Sequence, residues 1–283
     1  IYKPKEYDRT TKTYTSIPAL IEKGEPTIAF INKYFNHYQY LFDNINYGLH
    51  NNYELYNYLQ LMQKGFEADI WIAPLLRYYD KFNSLKLVEF VKALDNKFAN
   101  DWIIGLTPTD RIENVNSIIQ AIDDSKNESE VLTHGSLDLN KIELEEALGG
   151  NIYGKRAARY LLLKLDLLYH GHTTQIVFPD TVSIEHILPQ SPASNSQWKI
   201  DFTQVQMEEW TNKLGNLVLI SRRKNSSQGN KDYSVKLERY FTNNIELFSN
   251  SLRVLTNNKT WTYNDLVSNH TLVLAKLKSG FGI

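Results

Sequence analysis

Apolar side chains recur at helical spacing through the first 170 residues of this chain, and then that spacing stops. Ile112, Val115, Ile118, Ile119 and Ile122 fall at i, i+3, i+6, i+7 and i+10, one stripe of a helix. Leu85, Val88 and Val91, with Leu87, Phe90 and Leu94, make a second stripe, with Asn83 or Ser84 placed to cap it. The aromatic and aliphatic segments 28–42 and 53–63 also read as helices, and Pro74 is expected to kink or end a helix within 69–79. A helix over 137–148 closes on Gly149-Gly150. Another runs from Gly154 to about Tyr169 and ends at His170-Gly171-His172. Polar clusters at 23–26, 107–110 and 123–130 read as loops. No repeat at a solenoid period is present, so these helices predict an irregular bundle.

After Gly171 the texture changes. Residues 173–178 and 182–187 are short and β-branched, as strands are, and 191–196 is a polar loop. Residues 217–220 make a further short strand. The segment from Asp232 to about Leu247 reads as a helix with Tyr233, Leu237, Tyr240 and Phe241 on one side. The expected fold is mainly α with a small α+β element: a helical region over 1–150 and a second domain over 151–283.

Composition narrows the function classes. With 42% hydrophobic residues the chain can build a real core, and no run of about 18 apolar residues predicts a membrane span. A net charge of −1 excludes a uniformly basic nucleic-acid coat but leaves room for a local patch. The absence of Cys removes thiolate nucleophiles, disulfides and Cys-based zinc sites together, and a cytoplasmic setting is the simplest reading. A chain that begins at Ile1 reads as a piece of a longer polypeptide.

The chemistry concentrates in the β-branched region. Glu185 and His186 stand side by side, Gly215-Asn216-Leu217 follows thirty residues later, and Asn225 comes nine positions after Asn216. Hydrolysis of a phosphodiester needs an activated water and neutralised charge on the phosphorane-like transition state. His186 can accept the water proton, and Glu185 with the neutral oxygen of Asn225 can hold one hard cation, Mg²⁺ or Mn²⁺. Asn216, after a glycine at a strand entrance, is placed to pin the loop that presents the base. Taken singly, each of these residues is more often an ordinary surface position; their joint order is what carries the reading. Arg222, Arg223, Lys224, Lys231, Lys236 and Arg239 face only Asp232 and Glu238 within 222–239, a local charge of +4 suited to a phosphate backbone.

An acid before His-Ile-x-Pro, then Gly-Asn-Leu, then Asn nine residues on, resembles the HNH (ββα-metal) endonuclease motif. The wider pattern, with Gln190, Tyr233, Lys236 and Tyr240, resembles the C-terminal nuclease domain of DUF262/DUF1524 restriction proteins over about 183–240. The resemblance implies a metal-dependent DNA endonuclease acting on foreign or modified DNA. His186 would be its general base, Asn216 the residue that orients the base, and Glu185 and Asn225 the metal ligands. Lys236 would either contact phosphate or lie on a solvated helix face. It also implies a DUF262-like N-terminal domain of the same polypeptide, expected to be missing because no Asp-Gly-Gln-Arg-type motif occurs. Two departures stand out: no Cys-x-x-Cys zinc knuckle is possible, and Glu replaces the usual Asp or His at 185. The rival reading is a non-catalytic DNA-binding or assembly module with a decayed nuclease site, and RNA cleavage is a third.

Three other features invite function and have simpler readings. His170 and His172 are spaced to chelate a metal, but cationic capping of a helix C-terminus explains them better. The Tyr-rich helices could stack bases, yet aromatics at helical spacing usually mean burial. Trp198, Trp210 and Trp261 are expected to pack around the small strands. No Gly-x-x-x-x-Gly-Lys-Ser/Thr loop is present.

Overall fold

The computed structural model of the chain describes residues 5–8, 10, 13–16, 24–42, 53–221, 229–241 and 248–283. They fall into two compact units, Ile1–His50 and Asn51–Ile283. In the first, β1 (Lys5–Asp8) and β2 (Thr13–Ser16) pair antiparallel with Tyr7 opposite Tyr14, and α1 (Glu25–Phe42) follows. The helix is expected from the sequence, whereas the hairpin is not. Strands of four residues are too short for a period of two to register.

The second unit opens with α2 (Tyr53–Gly65), α3 (Ile72–Phe82), α4 (Leu87–Ile103), α5 (Pro108–Asp124), α6 (Glu128–Leu132), α7 (Lys141–Gly149) and α8 (Ala158–His170). Helix α8 is apolar nearly all round, with Tyr160 through Leu163, Leu165 and Leu167 buried, so it becomes the axis against which α2 packs. Gly65 permits that approach, since a Cβ there would lie 2.8 Å from the Tyr160 ring. The same ring stacks on Phe66 at 4.6 Å, and Tyr78 stacks on Phe90 at 3.9 Å, so tyrosine here is core material. The fully buried Lys164 is matched by Asp95 at 2.6 Å, which also accepts the Tyr160 hydroxyl at 2.8 Å.

Several boundaries differ from the sequence reading. Pro74 neither kinks nor ends a helix: it lies in the first turn of α3, where its missing N–H breaks no hydrogen bond. Helix α4 starts at Leu87 with Lys86 as its N-cap residue at φ 47°, so neither Asn83 nor Ser84 caps it and Leu85 is left exposed. Residues 107–110 are the start of α5, not a loop. Thr107 and Asp110 form a reciprocal capping box with Pro108 as the first helical residue. Residues 173–178 run without a strand partner. The buried Asn57 side chain takes the ladder's place, donating to the Thr174 carbonyl at 2.9 Å and accepting from the Ile176 N–H at 2.7 Å. Helix α8 ends as expected, on Gly171 at φ 76°, and the His170 ring meets the Thr174 hydroxyl at 3.1 Å.

The remainder of the unit is built on β3 (Val182–His186) and β4 (Leu217–Ser221), an antiparallel pair in register from Val182↔Ser221 to His186↔Leu217. Between them lie the short α9 (Trp198–Asp201) and α10 (Gln204–Trp210). After them come α11 (Tyr233–Phe241), α12 (Ser249–Asn257) and α13 (Tyr263–Phe281). Trp198 and Trp261 are buried in the core under this hairpin, together with Ile187, Val218, Ile220, Tyr233 and Tyr240, and Trp210 packs against its edge. Among the described residues the chain is therefore mainly α, with a small two-stranded β element in each unit. Among the described residues no helix is long and apolar enough to cross a membrane.

Helix α12 docks on α8 through Asp166, whose carboxylate accepts the Asn250 N–H at 3.0 Å. Burial raises the Asp166 pKa to about 7, outweighing the N–H donors that lower it. A folded-state pKa above the ordinary aspartate value of 3.8 means the native state holds this proton more tightly. That stabilisation is complete below the unfolded pKa and is lost as pH rises through about 7. At about 1.4 kcal/mol per pH unit, wild-type stability should fall by a few kcal/mol between pH 4 and pH 8 through this group. In Asp166→Asn that slope should be absent, which thermal melts across the range would measure; identical slopes would show that the burial of this carboxylate does not control it.

Candidate active site

Alternation along β3 separates the two residues that stand side by side in sequence, because successive side chains leave a strand on opposite faces. Glu185 turns toward α11 and the core, among Val218, Ile220, Tyr233, Tyr240 and Leu255. Its Oε1 lies 2.6 Å from Nζ of Lys236, and the same ammonium donates to the His186 carbonyl at 2.6 Å. Both charges are buried, at 9% and 4% exposure. Burial raises the Glu185 pKa, against the pull of Lys236, and lowers that of Lys236, against the pull of Glu185. The 2.6 Å contact and the second acceptor favour the charged pair, since each group satisfies the other.

His186 turns the other way. Its Nε2 meets the Asn212 Oδ1 at 3.2 Å, and Gln190 donates to the same oxygen at 3.2 Å. With an amide oxygen facing it, Nε2 carries the proton and Nδ1 keeps its lone pair. The Tyr153 ring packs edge-on against the imidazole at 4.2 Å between centroids. Desolvation lowers the His186 pKa to about 4, with Lys236 adding to the effect and Asn212 opposing it, so the ring is neutral near pH 7. Asn212 is itself held in place: its backbone carbonyl accepts from the N–H groups of Ile152 and Tyr153 at 2.9 and 3.1 Å.

Asn216 is completely buried and ties the loop after His186 to the rest of the site. Its side chain accepts from the Leu188 N–H at 2.8 Å and from the Trp261 indole at 3.3 Å. Its amide donates to the carbonyls of Leu188 and Thr211, both at 2.9 Å. The preceding Gly215 lets α13 reach this turn. Its N–H donates to Nδ1 of His270 at 3.1 Å, its carbonyl accepts from Asn269 at 2.7 Å, and a Cβ there would lie 2.5 Å from the His270 Cβ. Because the clash includes backbone atoms of α13, Gly215→Ala is expected to cost roughly 2–4 kcal/mol, read as a lower midpoint in urea unfolding. An unchanged midpoint would mean that α13 shifts freely.

Among the sequence candidates, His186, Asn216 and Glu185 thus converge on one hairpin end, while Asn225, Arg222, Arg223 and Lys224 lie outside the described residues. Lys231 is exposed, its backbone carbonyl accepting from the Trp198 indole at 3.0 Å. Lys236 is buried against Glu185 instead of lying on a solvated face. Asn212, Tyr153 and His270 carry no sequence signal: asparagine is common in this chain, and none of the three has a fixed spacing from His186.

The cation implied by the resemblance can be tested on the donors. Among the described residues no group of three or more His, Cys, Asp or Glu side chains is disposed to hold a metal ion. The one described candidate ligand, Glu185, gives an oxygen to Lys236. The described residues by themselves therefore do not make a cation site.

Residues 139–276 match the family model described as GmrSD restriction endonucleases, C-terminal domain, and residues 3–100 match DUF7834, a family of unknown function. No curated protein matches the chain. A nuclease-like domain is therefore present, spanning α7 through most of α13 and containing every site residue described above. The match is to the GmrSD type and not specifically to DUF262/DUF1524. The expectation of a missing DUF262-like N-terminal domain is overturned, because residues 3–100 themselves match an N-terminal domain of another family.

Proposed function

We propose that the nuclease-like domain matched over 139–276 is a DNA endonuclease of a restriction system with His186 as its general base. The observation that carries this reading is the arrangement around the imidazole: a neutral ring, Nε2–H held by Asn212, and Nδ1 carrying the lone pair. A water bound at Nδ1 gives up its proton as its oxygen attacks phosphorus in line with the leaving oxygen. Asn212 keeps the ring in the required tautomer, and Asn216 holds the loop that follows it. Positioned proton transfer of this kind contributes roughly 10²–10⁴-fold. Lys231, with Arg222, Arg223 and Lys224, is assigned to the phosphate backbone. Mg²⁺ or Mn²⁺ enters this reading only through the resemblance; Glu185, once released from Lys236, and Asn225 would be its ligands, and it would supply electrophilic stabilisation. No step above depends on it.

The buried Glu185–Lys236 pair favours a second reading, a DNA-binding module without catalysis, because the carboxylate is already neutralised. Supercoiled plasmid and a matched RNA, each incubated with Mg²⁺, Mn²⁺ or a chelator, separate the two. Relaxed or linear DNA in at least one arm is the expected result. DNA retarded in a gel but uncut in every arm would establish the second reading, and cleaved RNA beside intact DNA would reassign the substrate.

A further inference from the structure

A cavity with basic side chains in a largely apolar wall lies one residue along the chain from the ring that packs on His186. It has a volume of about 430 Å³, and its walls come from the end of α4, the first turn of α5, α7 and the segment entering α8. Arg111, Lys155 and Arg156 line it, and no acidic residue does. Lys155 and Arg156 are exposed, and no ion pair is formed by any of the three among the described residues. The Nε of Arg111 is buried without a hydrogen-bond partner. A buried donor left unmatched on a charged group is unfavourable, so this side chain has hydrogen-bonding capacity to spare. The first turn of the 17-residue α5 forms part of the wall. Asp110, the nearest acid in sequence, is occupied by the capping box on Thr107.

These features describe an anion site, and its location gives the anion an identity. Ile152 lines the cavity, and the next residue, Tyr153, carries the ring against His186. Both donate their N–H groups to Asn212, whose side chain holds the imidazole. We propose that this cavity binds a backbone phosphate of the DNA strand on which His186 acts, at a nucleotide away from the one being cut. Naming the strand as the source of the phosphate rests on the endonuclease reading; the anion site itself does not. Fork-shaped guanidinium donors such as Arg111 and Arg156 match a phosphate's paired oxygens, and such donors position a strand without reading its bases.

The test uses the full chain with Lys155→Glu, Arg156→Glu and Arg111→Gln, each combined with His186→Ala for binding and made alone for cleavage. Lys155 and Arg156 are exposed, so their variants should fold as wild type by thermal melting, whatever becomes of Arg111→Gln. Duplex DNA affinity by fluorescence anisotropy should weaken at least about tenfold, and the slope of log affinity against log salt should become shallower by about 1 for each phosphate no longer neutralised. Unchanged affinity and slope in both glutamate variants would overturn the proposal. A calorimetric arm with a nucleoside triphosphate separates the sources: triphosphate binding abolished in the variants while DNA affinity is unchanged overturns the strand assignment in favour of a free nucleotide. If wild type cuts no DNA yet the glutamate variants bind it more weakly, the endonuclease reading fails while the phosphate site stands.

Discussion

His186→Ala is expected to lower DNA cleavage by roughly 10²–10⁴-fold, the range general-base catalysis supplies. The variant should retain its fold and its DNA affinity. Among the described residues the imidazole at the end of β3 makes one hydrogen bond, to Asn212, and one ring contact, to Tyr153, so its removal leaves the core under the hairpin intact. Plasmid nicking measured alongside gel retardation checks both halves. Wild-type nicking by the variant would remove His186 from the mechanism. Loss of nicking together with loss of folded protein would call for His186→Asn, a polar replacement that keeps a hydrogen bond to Asn212 within reach.

The second large effect is expected at Asn216. Replacing it with alanine strands the Leu188 N–H and carbonyl, the Thr211 carbonyl and the Trp261 indole, all in a buried environment. With a penalty of about 1–3 kcal/mol for each stranded group and partial relaxation between them, a total near 3–5 kcal/mol is expected. For a unit of this size that corresponds to a melting temperature lower by roughly 10 °C. Cleavage should fall as well at temperatures where the protein stays folded, because the loop carrying Gln190 loses its anchor beside His186. A melting temperature close to that of wild type would show that the pinning role is minor.

The two substitutions differ in what they report. His186→Ala tests chemistry on an intact scaffold, whereas Asn216→Ala tests the scaffold and reaches the chemistry through it. Their consequences should therefore not add, since both act on one loop.

Much of this architecture can be read along the chain. The stripes at 112–122 and 85–94 mark helices, Gly171 marks the end of one, and the β-branched runs at 182–187 and 217–220 mark the paired strands. The Glu-His and Gly-Asn pairs, legible before any fold is known, come together at one end of the β3–β4 hairpin. Errors cluster where a local signal has two meanings. Proline at 74 breaks helices in their interior but starts them in the first turn, and Thr107-Pro108 reads as a loop until Asp110 closes a capping box. The extended run at 173–178 has strand composition, yet its hydrogen bonds go to Asn57, more than a hundred residues earlier in the chain.

By itself the sequence determined most of the longer elements and the presence of an imidazole next to a carboxylate, because periods of 3.6 and two residues are local properties of the backbone. Only the tertiary structure decided what each of those two groups meets. Strand alternation sends His186 toward Asn212 and Tyr153 and Glu185 toward Lys236, partners brought in from 26, 33 and 51 residues away. The same packing places Arg111, Lys155 and Arg156 around one cavity, whose lining residue Ile152 precedes the Tyr153 that packs on that imidazole. Burial and pairing set the charge state of Glu185, His186 and Lys236, and both arise from contacts that no spacing along a chain encodes.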